Sequence, residues 1–149
     1  MKTLKLILSS LLILFSVTVR GQNCSETNEP KLEENQCQIF LKFKNADGKC
    51  EYFNSVFSRK SITRSNLANA ELVGKCSKQY DYEVLSFTIS VSDGWGSFST
   101  QKVEGNKISS ATDFNFFTLK SGIQVLIEKI VILKDGKTST VSFPPLSIP

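Results

Sequence analysis

The side chains that could carry chemistry in this chain are few, and histidine is not among them: the 149 residues contain none. That removes the commonest general base and metal ligand and excludes triads of the Ser-His-Asp or Cys-His kind. No glycine-rich phosphate loop is present. Carboxylate pairs remain, Asp81 with Glu83 or Asp93 with Glu104, which could divide acid and base roles as in glycoside hydrolysis if they met across one cleft. Asp81 and Glu83 sit at the entry of a strand-like run, where solvated edge charges are the simpler reading. Trp95, between Gly94 and Gly96, is the one aromatic whose setting suggests contact with a sugar or a partner protein, the simpler reading being a hairpin aromatic folded back on the sheet. The residues therefore favour a binding protein over an enzyme, with neither a cofactor nor a metal expected.

Cys24, Cys37, Cys50 and Cys76 form the other chemical set. Their spacings contain no paired C-x2-C knuckle and no histidine completes a ligand set, so two disulfides are expected in place of zinc. A tight hairpin at Asp47-Gly48 would put Cys50 opposite about Asn45. Cys37 would then lie some eight residues further along its strand, roughly 26 Å away, beyond the roughly 4.4–6.8 Å between Cα atoms that a disulfide spans. The expected pairing is Cys24 with Cys37 and Cys50 with Cys76. Asn23-Cys24-Ser25 also fits a glycosylation acceptor.

Export follows from residues 1–21, where Lys2 and Lys5 precede an apolar run from Leu6 to Val19 that Arg20 stops. The run is shorter than the roughly 20 apolar residues of a membrane-spanning helix. Cleavage after Gly21 would leave a secreted or periplasmic chain starting at Gln22 with no membrane span; Gly21, Gln22 and Asn23 make a poor lipid-attachment box before Cys24. Without Lys2, Lys5 and Arg20 the 18 basic residues fall to 15 against 14 acidic ones. A net charge near +1 gives no field for nucleic acid, and the basic spot at Arg59, Lys60 and Arg64 reads as a solvated loop.

The elements that must position these groups read as strands. Residues 22–36 are polar and acidic and read as a flexible N-terminal arm; a single β-domain is expected over 37–149. CQIFLKF and KCEYFNSVF flank Asn45-Ala46-Asp47-Gly48 as a hairpin. SNLANAELVG, 65–74, has a Ser65 cap and Gly74 as a stop, and predicts a short helix. In YEVLSFTISVS, Leu85, Phe87, Ile89 and Val91 share an apolar face and the intervening Ser and Thr a wet one. Asp93-Gly94-Trp95-Gly96 turns the chain into SFSTQKVE. Residues 109–122 predict one or two helical turns, capped by Ser109 or Ser110, with Phe114 and Phe117 on one side. The last hairpin turns on Asp135-Gly136 and sets Ile130 opposite Val141 and Ile132 opposite Ser139, after which Pro144, Pro145 and Pro149 are expected to end the ladder.

Residues 80–149 carry a pattern of a further kind. Val84, Phe87, Thr88 and Ile89 on one strand are followed by Gly105, Asn106, Ser109 and Ser110. Then come Leu119, Lys120, Gly122 and Val125, the Ile127-Glu128-Ile130 strand, and the Asp135-Gly136 hairpin. In order and spacing this resembles the C-terminal domain of the gliding-motility protein GldM. The resemblance implies an Ig-like antiparallel β-sandwich associated with type IX secretion and gliding machinery, and no active site. The function expected is an exported, non-catalytic interaction module that meets an envelope or cell-surface protein through an edge strand or the Trp95 loop. The alternative is a secreted carbohydrate-binding or carbohydrate-active protein using a carboxylate pair.

Overall fold

The computed structural model describes Cys24 and residues 29–56, 61–77 and 81–149. The expected signal segment, the acceptor at Asn23, and Arg59 with Lys60 lie outside the described residues. The chain folds as an all-β sandwich of two antiparallel sheets. Strands β1 (Cys37–Lys44), β2 (Cys50–Phe53) and β3 (Glu71–Cys76) form a three-stranded sheet in the order β2-β1-β3. Strands β4 (Glu83–Ser92), β5 (Phe98–Glu104), β6 (Gln124–Lys134), β7 (Lys137–Val141) and β8 (Leu146–Ser147) form the other, in the order β5-β4-β6-β7 with β8 also on β6. One apolar core lies between them, joining Ile39, Leu41 and Leu72 of the first sheet to Phe87, Ile89, Val125, Ile127 and Ile130 of the second.

Both expected hairpins form. At the first, Asn45 Oδ1 accepts the Asp47 and Lys49 amides at 3.0 and 2.9 Å, an Asx-type turn, and Cys50 pairs with Lys44, one residue from the Asn45 expected. At the second, Asp135 and Gly136 both take positive φ, 50° and 73°, as a two-residue turn matching strand twist requires. Its register sets Ile130 opposite Val141 and Ile132 opposite Ser139, as expected.

The long central strands depart from simple alternation. Paired bulges shift the β4–β6 register between Val84 and Ser86 and again between Ser86 and Thr88. On β6 the shift falls at Lys129, whose φ is 48°. Each bulge exchanges the faces of the residues beyond it, so odd-numbered Val125 and Ile127 and even-numbered Ile130 and Ile132 all enter the core. The same exchange turns Val84 inward and leaves Leu85 only half-buried, a correction to the single face expected from Leu85 to Val91. The opposite face is not uniformly wet either: Ser86 and Ser90 are buried, and the Ser90 and Thr100 hydroxyls meet at 2.8 Å.

Three further expectations are corrected. The helix over 65–74 is reduced to α1, Arg64–Ala68, capped by Thr63, whose Oγ1 accepts the Asn66 amide. Glu71 to Gly74 belong to β3. A helix this short has little stability of its own, and pairing along β1 gives six residues from Glu71 to Cys76 a ladder in its place. The one or two helical turns expected over 109–122 do form, as single 3-10 turns at Ile108–Ser110 and Phe116–Thr118, but neither has the expected serine cap, and Phe114 packs against the core while Phe117 is 60% exposed. The prolines end β7 but not the sheet: beyond Pro144 and Pro145 the chain returns to β6 as β8, with Leu146 opposite Val125. Arg64 fastens this end, its guanidinium donating to Leu119 O, to Ser121 Oγ at 3.0 Å and to Pro149 O at 3.2 Å. Of the basic spot read as a solvated loop, this described member ties α1 to the segment before β6 and to Pro149, just beyond β8.

Candidate functional site

Trp95 occupies the tip of the β4–β5 hairpin. Asp93 shapes the turn: its Oδ1 accepts the Trp95 amide at 2.7 Å and the Ser97 amide at 3.1 Å, and its own amide donates to Ser97 O at 3.0 Å. Gly94 and Gly96 take φ of 82° and 101°, values side chains rarely adopt. The base of the turn is tied to β6, where the Gln124 amide donates to Ser92 Oγ at 3.2 Å. This backbone is preordered, yet the indole it carries is 93% exposed. Phe98, at the start of β5, is 42% exposed. An aromatic ring held in water by a braced turn loses little conformational freedom on binding.

The structure places the two carboxylate pairs suggested by sequence differently. Ser92 pairs with Phe98 and Ser86 with Glu104, so Asp93 and Glu104 stand at opposite ends of the hairpin, roughly 20 Å apart. This is about twice the separation at which two carboxyls share a glycosidic bond. Asp93 is committed to its turn, and Glu104 meets Lys102 at 2.7 Å in solvent. Asp81 and Glu83 both line a cleft of about 340 Å³ between β3 and β4. Asp81, however, is engaged: Oδ2 meets Lys75 Nζ at 3.0 Å and Oδ1 accepts the Cys76 amide at 3.1 Å.

Lys75 is the centre of a cluster that sequence reasoning missed. Its ammonium also meets Glu29 Oε1 at 3.0 Å and lies 5.7 Å from the centre of the Tyr52 ring, which Lys42 approaches to 5.9 Å. Burial works against the Lys75 charge, but the hydrogen bonds to Asp81 and Glu29 outweigh it and hold the group above the ordinary lysine range. Tyr82, next in the chain to Asp81, is pushed up to about 12, by burial first and by the Asp81 carboxylate second. Both folded values lie above the unfolded ones, so the stability they contribute is complete below about pH 10 and is lost as pH rises. Wild-type protein is therefore expected to lose stability between about pH 10 and 12. Tyr82→Phe, which has no phenol to ionise, is expected to reduce that slope by up to about 1.4 kcal/mol per pH unit. Thermal melts of both proteins across this range check it; equal slopes would remove Tyr82 as the cause.

Cysteine pairing is also corrected: the bonds are Cys24–Cys50 and Cys37–Cys76, with Cα separations of 5.4 and 4.1 Å. Antiparallel pairing of β1 with β3 sets Cys37 opposite Cys76. The Ser77 amide donates to Gln36 O, which makes the adjoining Cys37–Cys76 position a non-hydrogen-bonded pair, where side chains approach most closely. The missed signal was that Cys37 opens one apolar run and Cys76 closes another, the arrangement antiparallel neighbours bring together. Cys37 and Cys50 are not bonded to each other, as expected.

Cys24–Cys50 and the Glu29–Lys75 contact hold the segment expected to be a flexible arm against the first sheet. There Phe40 is 1% exposed on the face away from the main core, edge-on to Tyr52 with ring centres 6.3 Å apart. Disulfide bonding points to an oxidising, extracellular compartment. Among the described residues no helix is long and apolar enough to cross a membrane, and no cluster of three or more metal-ligating side chains occurs. Comparison with known proteins yields no matching family model and no matching curated relative, so the functional reading rests on the residues themselves.

Proposed function

We propose that this protein is an exported, non-catalytic β-sandwich interaction module that docks an envelope or cell-surface protein through the Trp95 turn. The observation that carries this reading is the indole itself: 93% exposed, on a turn braced by Asp93 and two glycines. Tryptophan is the residue most often found to dominate binding at protein interfaces, and its exposure here serves no packing purpose. The disulfides suit an extracytoplasmic setting. The resemblance to the GldM C-terminal domain supports a role beside secretion or gliding machinery: its span, 80–149, takes in the whole β4–β8 sheet, while the cysteine-bearing segment builds the other.

Trp95→Ala is expected to change stability by less than about 1 kcal/mol, a few degrees in melting temperature, because the ring buries little surface in the fold. The same variant is expected to lose partner capture from envelope extract. Thermal melts and a pull-down with wild type and variant read both. Retention of every specifically captured protein by Trp95→Ala would sink the loop as the contact point and move the search to the β7 edge. Binding to polysaccharide arrays in place of protein would favour the carbohydrate-binding alternative.

A further inference from the structure

We propose that the first half of β1 is a peptide-binding edge, taking an extended segment of a partner protein into the place that β2 leaves. β2 pairs with β1 only from Leu41 to Lys44. Cys37 to Phe40 pair with β3 on one side and, among the described residues, have no strand beside them on the other. Alternation fixes which groups face the vacated line. The Ser77 amide donates to Gln36 O, so Gln38 and Phe40 turn their backbone groups to β3, and Cys37 and Ile39 turn theirs the other way. Asn54, the first residue past β2, closes part of this edge: its Nδ2 donates to Ile39 O at 2.9 Å, and its Oδ1 accepts the Val56 amide at 2.9 Å. Among the described residues nothing accepts from the Ile39 amide or meets the Cys37 amide and carbonyl there, although Ile39 is only 4% exposed. A buried backbone donor without a partner is costly, which favours a ligand able to accept from it.

The surroundings of these groups are largely apolar. Ile39, Asn54, Val56, Phe143, Pro144 and Pro145 line a cleft of about 370 Å³, and Val56 is 72% exposed. Three backbone groups at strand spacing select an extended peptide over a small apolar molecule, which satisfies none of them. A segment running antiparallel to β1, as β2 does, sets alternate residues opposite Ile39 and Cys37. The first accepts the Ile39 amide, and the second exchanges both bonds with Cys37. Both turn their side chains to the face that carries Ile39, so apolar residues suit these positions and charged ones do not. The site is separate from the Trp95 turn, which joins two strands of the other sheet.

A blocked Thr-Val-Thr-Val-Thr peptide, titrated into isotope-labelled full-length protein and followed by NMR, tests this. Expected are saturable shifts centred on Ile39 and Val56, and slower exchange of the Ile39 amide. N-methylation of both valines, which removes the N–H aimed at Cys37 O, is expected to weaken binding about fivefold, whereas N-methylation of the threonines is not. Val56→Asp is expected to weaken it about tenfold with an unchanged melting temperature, and Trp95→Ala to leave it unchanged. An Ile39 amide that already exchanges slowly in the free protein would mean that the fold closes this edge itself, and would overturn the site. So would an absence of saturable shifts, shifts centred on the β7 edge, or equal binding by the two N-methylated peptides. Loss of peptide binding in Trp95→Ala would move the peptide to the Trp95 turn and overturn the site equally.

Discussion

Phe87→Ala is expected to destabilise the protein by about 3–5 kcal/mol, enough to unfold a domain of ordinary marginal stability. The side chain is 1% exposed at the middle of β4, the strand that pairs with both β5 and β6. Val103 faces it across β5, and Ile89 follows it on the same face. The paired bulges lie directly beside it, so the strand cannot slide to refill the space without losing the register that turns Val84, Ile130 and Ile132 inward. Alanine therefore leaves a cavity that the sheet closes only in part. Urea titration of wild type and variant measures the difference; a loss below about 1 kcal/mol would show that the core relaxes around the site. Phe87→Leu, which keeps most of the volume, is expected to recover much of the loss.

The second large effect is expected at a residue with no side chain. Gly74 faces the core from β3, and a Cβ built there would overlap the Tyr82 ring, which lies flat across the strand. Gly74→Ala must push aside a ring that is itself buried and whose chain neighbour Asp81 is bound to Lys75 and the Cys76 amide. Overpacking of this kind costs about 2–3 kcal/mol. Tyr82→Ala is destabilising for the opposite reason, since it empties the same space. The double variant is expected to be less destabilised than the two single losses added together, by 1 kcal/mol or more, because each change removes part of the other's defect. Additive losses in a double-mutant cycle would mean that the ring is not what excludes a side chain at Gly74.

Local pattern was enough for much of the fold. Turn chemistry at Asn45, Asp93 and Asp135-Gly136 and the spacing across the last hairpin depend on residues within a dozen positions of one another, and each formed at or within a residue of the place expected; the strand over 84–92 also formed, with the expected inward face kept from Phe87 to Val91. The glycine turn at Trp95 was legible for the same reason, but whether the ring folds back on the sheet or stands in water was decided by the structure, which leaves it 93% exposed. Where local preference was weak, the reading failed. ELVG suits a helix or a strand, and β1 decided between them by offering a ladder.

The sequence by itself determined an all-β chain, its turns, the inward face of β4 from Phe87 to Val91 and the cysteines available for bonding, because strand alternation and turn geometry are properties of consecutive residues. Only the tertiary structure decided which cysteines meet, where the bulges exchange faces, that β8 returns to β6 beyond the prolines, and that Glu29 and Asp81 converge on Lys75. Each of these depends on which strands lie side by side. That choice is made by burying apolar faces together across long sequence separations, and no short window of residues contains it.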